Sequence, residues 1–179
     1  MKLSRFFYLL VLIAGCVTFV SCNDATTADI TQNIDFEINS LVEDDGALRA
    51  GDDFHKFAGQ AVIKISNYSA FAKYNVSAVE VQSITIKTTC TETGEYSVRN
   101  IKIESPQVTS GSVTIGEYKL GTEISPNELL PFAKNMMNAF IGGSDITVKV
   151  EGETNVASGQ ELKHEIKIRA KFSVTAINL

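Results

Sequence analysis

Period-two alternation of apolar and polar residues dominates this chain. It is cleanest near the C-terminal end. Leu162, His164, Ile166, Ile168, Ala170, Phe172, Val174 and Ala176 share one parity, and Lys163, Glu165, Lys167, Arg169, Lys171, Ser173 and Thr175 share the other. Successive side chains of a strand point to opposite faces, so this reads as an antiparallel strand with one face on a core and one in water. Slipping the register by one residue would bury unpaired cations. Shorter alternations place Ile34, Phe36 and Ile38 in a first strand and Ala61, Ile63 and Ile65 in a second. Ile101 and Ile103 (98–104), Val113 and Ile115, and Ile146, Val148 and Val150 mark three more.

Two stretches break phase. Within 77–90, Val79 and Val81 are odd, whereas Ile84 and Ile86 are even. The alternation must therefore slip near Gln82 and Ser83, through a bulge or a change of sheet. Tyr118 and Leu120 are likewise out of phase with Val113 and Ile115, across Gly116. Glu92–Glu95 reads as a hairpin turn with Gly94 at a positive φ. Asn67–Asn75 is a connection with room for one helical turn.

One segment follows a helical period instead. Leu129, Leu130, Phe132, Ala133, Met136, Met137 and Phe140 recur at near 3.6-residue spacing, predicting a helix over 126–141. Ser125 reads as its N-cap, Pro126 as its first residue and Glu128 as the partner in a capping box, with Gly142 and Gly143 as the stop. The methionine-bearing face reads as core, with Leu130 and Phe140 largely buried. About seven strands, one inserted helix and no βαβ rhythm predict an all-β domain. Two antiparallel sheets face to face, an immunoglobulin-like β-sandwich without its disulfide, are the expected closure.

The N-terminal segment has another character. Lys2 and Arg5 precede the apolar run Phe6–Ser21, which ends at Cys22, followed by Asn23 and Asp24. A basic start, an apolar core and a small residue before a cysteine make a lipoprotein-type secretion signal. The apolar run is shorter than the roughly 20 residues that span a bilayer. Cys16, after Ile13-Ala14-Gly15, is the alternative lipidated residue, but leaves a shorter apolar stretch before it. The expected organisation is a signal peptide at 1–21, a lipidated Cys22 with a flexible tether through residue 33, and one domain over 34–179. The anchor is the implied membrane contact, in the cell envelope.

The net charge of −5 becomes two units more negative once Lys2 and Arg5 are removed, which argues against a nucleic-acid partner. Acidic residues concentrate over 29–53, and the outward face of 163–171 is basic. The acidic stretch reads as a solvated loop. Asp44, Asp45, Asp52 and Asp53 are oxygen donors of the kind Ca²⁺ takes, but their spacing matches no calcium loop.

The Ser21-Cys22-Asn23-Asp24 start, the segment AKYNVSAVEVQSITIKT (72–88) and the ending ITVKVEGE…HEIKIRAKFSVTAINL are similar to those of small Bacteroidetes lipoproteins with a single β-sandwich. The resemblance implies triacylation at Cys22 and, with Asn23 rather than Asp after it, the outer membrane. It implies no further functional residues.

The rest offers little chemistry. His55 and His164 are the only histidines; the first reads as a loop residue and the second as a satisfied residue at a strand edge. Cys90 has no partner if Cys22 carries lipid. There is no G-x-S-x-G elbow, phosphate-cradling loop or zinc spacing. Carbohydrate binding usually uses exposed aromatic platforms, and the domain has no Trp, only Tyr68, Tyr74, Tyr96 and Tyr118 beside its phenylalanines. The expected function is a non-catalytic binding or structural module, contacting an envelope protein or glycan, without cofactor or metal. The alternatives are a hydrolase with an unrecognised site and a surface-fibre subunit joined through an edge strand.

Overall fold

The C-terminal stripe forms one long strand, Glu161–Ala176, and the domain is assembled around it. A computed structural model describes residues 27–44, 53–68, 74–108 and 111–176. Their elements are β1 (Thr27–Val42), β2 (His55–Ile63), β3 (Tyr74–Cys90), β4 (Ser97–Glu104), β5 (Ser112–Ile115), β6 (Tyr118–Lys119), β7 (Glu123–Ile124), α1 (Leu129–Ile141), β8 (Ile146–Thr154) and β9 (Glu161–Ala176). Cys16, Cys22, Asp45 and Asp52 lie outside the described residues. Every strand pairing is antiparallel, so the described residues are all-β apart from α1 and one 3-10 turn, Ile65–Asn67.

The expected pair of facing sheets is replaced by one continuous sheet. Its strand order is β5-β4-β8-β2-β1-β9-β3-β7, with β6 also against β4, and it curls into a half-barrel. The two flanks are hinged where β1 meets β2. Only Ser40, Leu41 and Val42 pair there, with Gly59, Ala58 and Phe57. Strand patterns specify which face is apolar, whereas neighbour order depends on pairings between distant segments, so alternation alone does not separate a sandwich from a curled sheet.

β9 lies between β1 and β3 along almost its whole length. Leu162, His164, Ile166, Ile168, Ala170, Phe172 and Val174 are buried, and the lysines of the other parity face outward, as the alternation predicts. β1 begins at Thr27, so residues 27–33, expected to be tether, are paired with β9. In β3 the register slips between Val81 and Ser83, at the predicted place, and again between Val76 and Ala78.

β4 carries an irregularity not among the sequence expectations. Its register against β8 shifts between Arg99 and Lys102, and Asn100 has φ 53°. The signal was present, because buried Val98 is even while buried Ile101 and Ile103 are odd. The phase change across Gly116 is the matching break between β5 and β6, so both segments keep one register against β4.

The expected hairpin at Glu92–Glu95 is a crossing instead. β3 and β4 are not neighbours, and the turn carries the chain from one flank of the sheet to the other. Gly94 does not have a positive φ. A Cβ there would lie 2.7 Å from the Tyr96 ring, which explains the glycine by space. The segment from β6 to β7 bridges back: Leu120 N–H donates to Tyr96 O at 2.9 Å and Gly121 N–H to Thr88 O at 2.7 Å.

α1 starts at Leu129, three residues later than expected, and packs mainly on β3. Ser125 makes no cap; its hydroxyl donates to Ile84 O at 2.7 Å and ties the chain to β3. Leu129, Phe132, Ala133, Met136, Met137 and Phe140 are buried, so the methionine face is core. Leu130 is only half-buried, because the helical stripe centres on Leu129 instead. Gly142 and Gly143 end the helix, Gly143 at φ 86° with its N–H on Phe140 O. No helix among the described residues is long and apolar enough to cross a membrane.

Candidate functional site: a buried hydroxyl–histidine chain

His164 is fully buried on the core face of β9 and not at an edge. Its strand partners are Ile38 on β1 and Thr88 on β3. Thr88 Oγ1 lies 2.8 Å from His164 Nδ1, and Ser40 Oγ on β1 lies 2.8 Å from Nε2. Tyr118, on the bridging segment, completes the chain with its hydroxyl 2.7 Å from Thr88 Oγ1. A neutral imidazole donates at one nitrogen and accepts at the other, so one direction of donation runs through all four groups. The Phe57 ring covers the imidazole, with centroids 5.2 Å apart and planes 28° apart.

The surrounding backbone is shaped for this arrangement. A Cβ at Gly152 would lie 2.7 Å from the Phe57 ring, opposite which it is paired on β8. A Cβ at Gly59 would press on the Asn39 carbonyl and reach to 2.8 Å of Ser40 Cβ. Glycine at both positions lets β1 approach β2 and lets Phe57 lie flat.

Burial pushes the His164 imidazole down from 6.5 to about 4, so it is neutral near pH 7. Burial likewise pushes the Tyr118 phenol up to about 12, against the smaller opposing effect of its bond to Thr88. A hydroxyl at hydrogen-bond distance from an imidazole is the geometry of an activated nucleophile. Here, however, the position that orients the imidazole in a catalytic triad is held by Thr88, which carries no negative charge to stabilise an imidazolium. Ser40 is 2% exposed, and Thr88 and His164 are 0% exposed. The constellation is a satisfied polar link in an apolar core, joining β1, β9, β3 and β6.

The other sequence candidates do not join it. His55 is the first residue of β2, not a loop residue, and its Nδ1 is buried without a hydrogen-bond partner among the described residues. Cys90 is half-buried, its thiol 3.5 Å from Glu92 O. No group of three or more His, Cys, Asp or Glu among the described residues is placed to hold a metal ion.

The outward face of β9 is not a free basic surface. Lys163 pairs with Glu37 at 2.8 Å and Glu165 at 3.4 Å, Lys167 with Glu123 at 3.5 Å and Lys171 with Asp29 at 2.8 Å. The Lys171 ammonium and the Ser173 hydroxyl hold the Asp29 carboxyl below the usual carboxylate range. On the other flank, Lys102 is shared by Glu104 and Glu151, both at 2.9 Å, which raises it to about 12.

Where β1 and β2 diverge beyond their short pairing, an open cleft of about 570 Å³ remains. Asp35, Phe36, Val62, Tyr68, Glu165 and Lys167 are among its walls. Tyr68 donates its hydroxyl to Asp35 O at 3.3 Å and sets its ring edge-on to Phe140, with centroids 5.5 Å apart. Val62 is 51% exposed at the rim. The walls mix charged side chains with apolar ones, so this is a polar surface cleft rather than an apolar pocket.

No protein-family model matches the chain, and no curated protein matches it. Among solved structures, a chain of Desmodium yellow mottle tymovirus is similar over 92% of this chain and 96% of that one, at 11% identity and a TM-score of 0.35. A likeness that distant carries no functional argument.

Proposed function

We propose that the protein is a lipid-anchored component of the bacterial cell envelope, most consistent with the outer membrane, whose β domain is a non-catalytic binding or structural module. The observation that carries this reading is the apolar run Phe6–Ser21 behind Lys2 and Arg5 and ahead of Cys22. Two features of the domain support it. The pairing of Ser40 with His164 is sealed from any substrate. The cleft between β1 and β2 offers apolar and polar groups at the surface.

Mass spectrometry of the membrane-extracted protein tests the anchor, with an acylated N-terminal peptide beginning at Cys22 as the expected product. A product beginning at Cys16, or a soluble mature form, refutes the assignment. A screen against esters, glycosides and peptides tests the non-catalytic reading. Turnover abolished by a substitution at His55, His164 or Cys90 refutes it and supports the hydrolase reading.

Assembly through strand pairing is the second reading, and one observation favours it. Among the described residues, β3 pairs on its outer side only at Ile86 and Lys87, with β7. Residues 74–83 are left as an open edge of the kind that accepts a partner strand, ending where the Ser125 hydroxyl binds Ile84 O.

A further inference from the structure

The placement of β1 fixes how an anchored domain meets the bilayer. Thr27, the first residue of β1, follows Cys22 by five residues. Five extended residues reach at most about 17 Å. Lipid on Cys22 therefore holds one particular end of the sheet against the membrane.

That end has a distinctive surface. Thr27 pairs with Thr175 of β9, and Tyr74 of β3 pairs with Ala176. Ala28, Val174 and Val76 lie side by side on β1, β9 and β3. Ala28, Ile30, Tyr74 and Val76 are half-buried, leaving apolar surface at the tip. Over residues 27–30, 74–79 and 172–175 the only charged side chain is Asp29, and Lys171 and Ser173 engage it. The opposite end is net acidic, carrying Glu43, Asp44, Asp53, Glu92, Glu95 and Glu161 against Lys56 and Lys119, the latter paired with Glu95 at 3.6 Å. A 16-residue strand separates the ends, which is about 50 Å and well beyond the screening length at physiological salt.

We infer that this charge-poor tip, with Tyr74 at its edge, is a seat on the lipid surface, so that the domain stands upright with its acidic end directed away from the membrane. The inference rests on lipid attachment at Cys22. A tyrosine beside small apolar residues suits the interface, where an amphipathic ring has one wet end and one apolar end. Tilting the domain flat would bring the carboxylates of the far end against the headgroups of an anionic bilayer, which repel them.

The chain contains no tryptophan, so an introduced one reports its own surroundings. Full-length Tyr74→Trp and Tyr96→Trp proteins, each shown by mass to carry lipid at Cys22, are reconstituted in phosphatidylethanolamine–phosphatidylglycerol vesicles with brominated acyl chains. Bromine should quench Tyr74→Trp several-fold more strongly than Tyr96→Trp, which lies at the acidic end. Hydrogen exchange of the lipidated wild-type protein gives a readout independent of substitution: amides of 74–79 should gain protection on vesicles, and those of 92–96 should not. Equal quenching, or no added protection at 74–79, in protein lipidated at Cys22 overturns the seating while leaving the anchor intact. Mature protein without lipid at Cys22 overturns the anchor, and the seating with it.

Discussion

Thr88 Oγ1 and His164 Nδ1 face each other across β3 and β9 at 2.8 Å, although 76 residues separate them in the chain. The contact explains why a histidine is tolerated in a stripe otherwise made of Leu, Ile, Ala, Phe and Val. Ser40 satisfies the other ring nitrogen, so the buried imidazole leaves neither nitrogen unpaired. The ring links β9 and β3 to β1 beside its short pairing with β2.

This link makes stability sensitive to mild acid. The folded protein holds His164 down at about 4, against 6.5 when exposed. Above pH 6.5 neither state is protonated and the full stability is present. As pH falls toward 4, the unfolded chain takes up a proton that the folded chain refuses, and stability is lost. The expected loss is about 2 kcal/mol by pH 5. The depressed carboxyls of Asp29 and Glu104 act in the same direction, but mainly below their ordinary values of 3.8 and 4.5. Urea melts at pH 7.5 and pH 5 measure the loss, and His164→Gln should abolish most of it. An undiminished loss in that variant would assign the effect to other groups.

Gly59 should tolerate no side chain. Gly59 is paired with Ser40, and an added methyl meets the Asn39 carbonyl and Ser40 Cβ. Gly59→Ala should destabilise the domain by about 1–3 kcal/mol, the usual cost of overpacking. Gly159, at φ 78° with open space around its Cα, tests a different cause, because strain at Gly159→Ala would come from φ alone. Denaturant melts that leave Gly59→Ala unchanged would show that β1 and β2 separate freely at the hinge.

What the sequence reveals depends on how local each cause is. The face of β9 is legible because charges and apolar residues alternate without a break, and the slip near Gln82 is legible because the parity of four aliphatic residues changes. The start of β1 is not. Thr27-Ala28-Asp29-Ile30-Thr31-Gln32-Asn33 is polar and small enough for a tether, and only its pairing with β9 makes it a strand. The N-terminal end of α1 misled because Ser125 has a stronger use, binding Ile84 O on β3. His164 was identifiable as facing inward, but its partners come from residues 40, 88 and 118, which no spacing rule connects.

The stripe of α1 predicts an asymmetry between adjacent leucines. Leu129 is fully buried and Leu130 half-buried. Leu129→Ala should cost about 2–5 kcal/mol, and Leu130→Ala clearly less. Equal effects in denaturant melts would mean that the helix face is rotated from the one described.

The ladder on the outer face of β9 should respond to charge order rather than to charge itself. Lys171 lies between Asp29 and Glu80, whereas Arg169 is flanked by Asn33 and Ser83. Lys171→Glu should lower Tm by placing a third carboxylate beside two others, and adding Asp29→Lys should recover part of the loss. Arg169→Ala should leave Tm nearly unchanged. A larger effect at Arg169 than at Lys171 would contradict the register.

The open edge of β3 is interrupted by two register shifts, and the second makes a sharp test. Gln82 is the extra residue between Val81, opposite Ala170, and Ser83, opposite Arg169. Bulges twist an edge strand and hinder pairing with a second molecule. Deleting Gln82 leaves Val79, Val81, Ile84 and Ile86 in unbroken alternation, so the inward set still meets β9. The deletion should therefore preserve the fold, seen as near wild-type amide protection in β9, while flattening the edge. Light scattering should then show stronger concentration-dependent self-association than the parent protein gives. Unfolding on deletion would mean that the bulge shapes the core. A folded, monomeric deletion would mean that the twist at Gln82 is not what protects this edge.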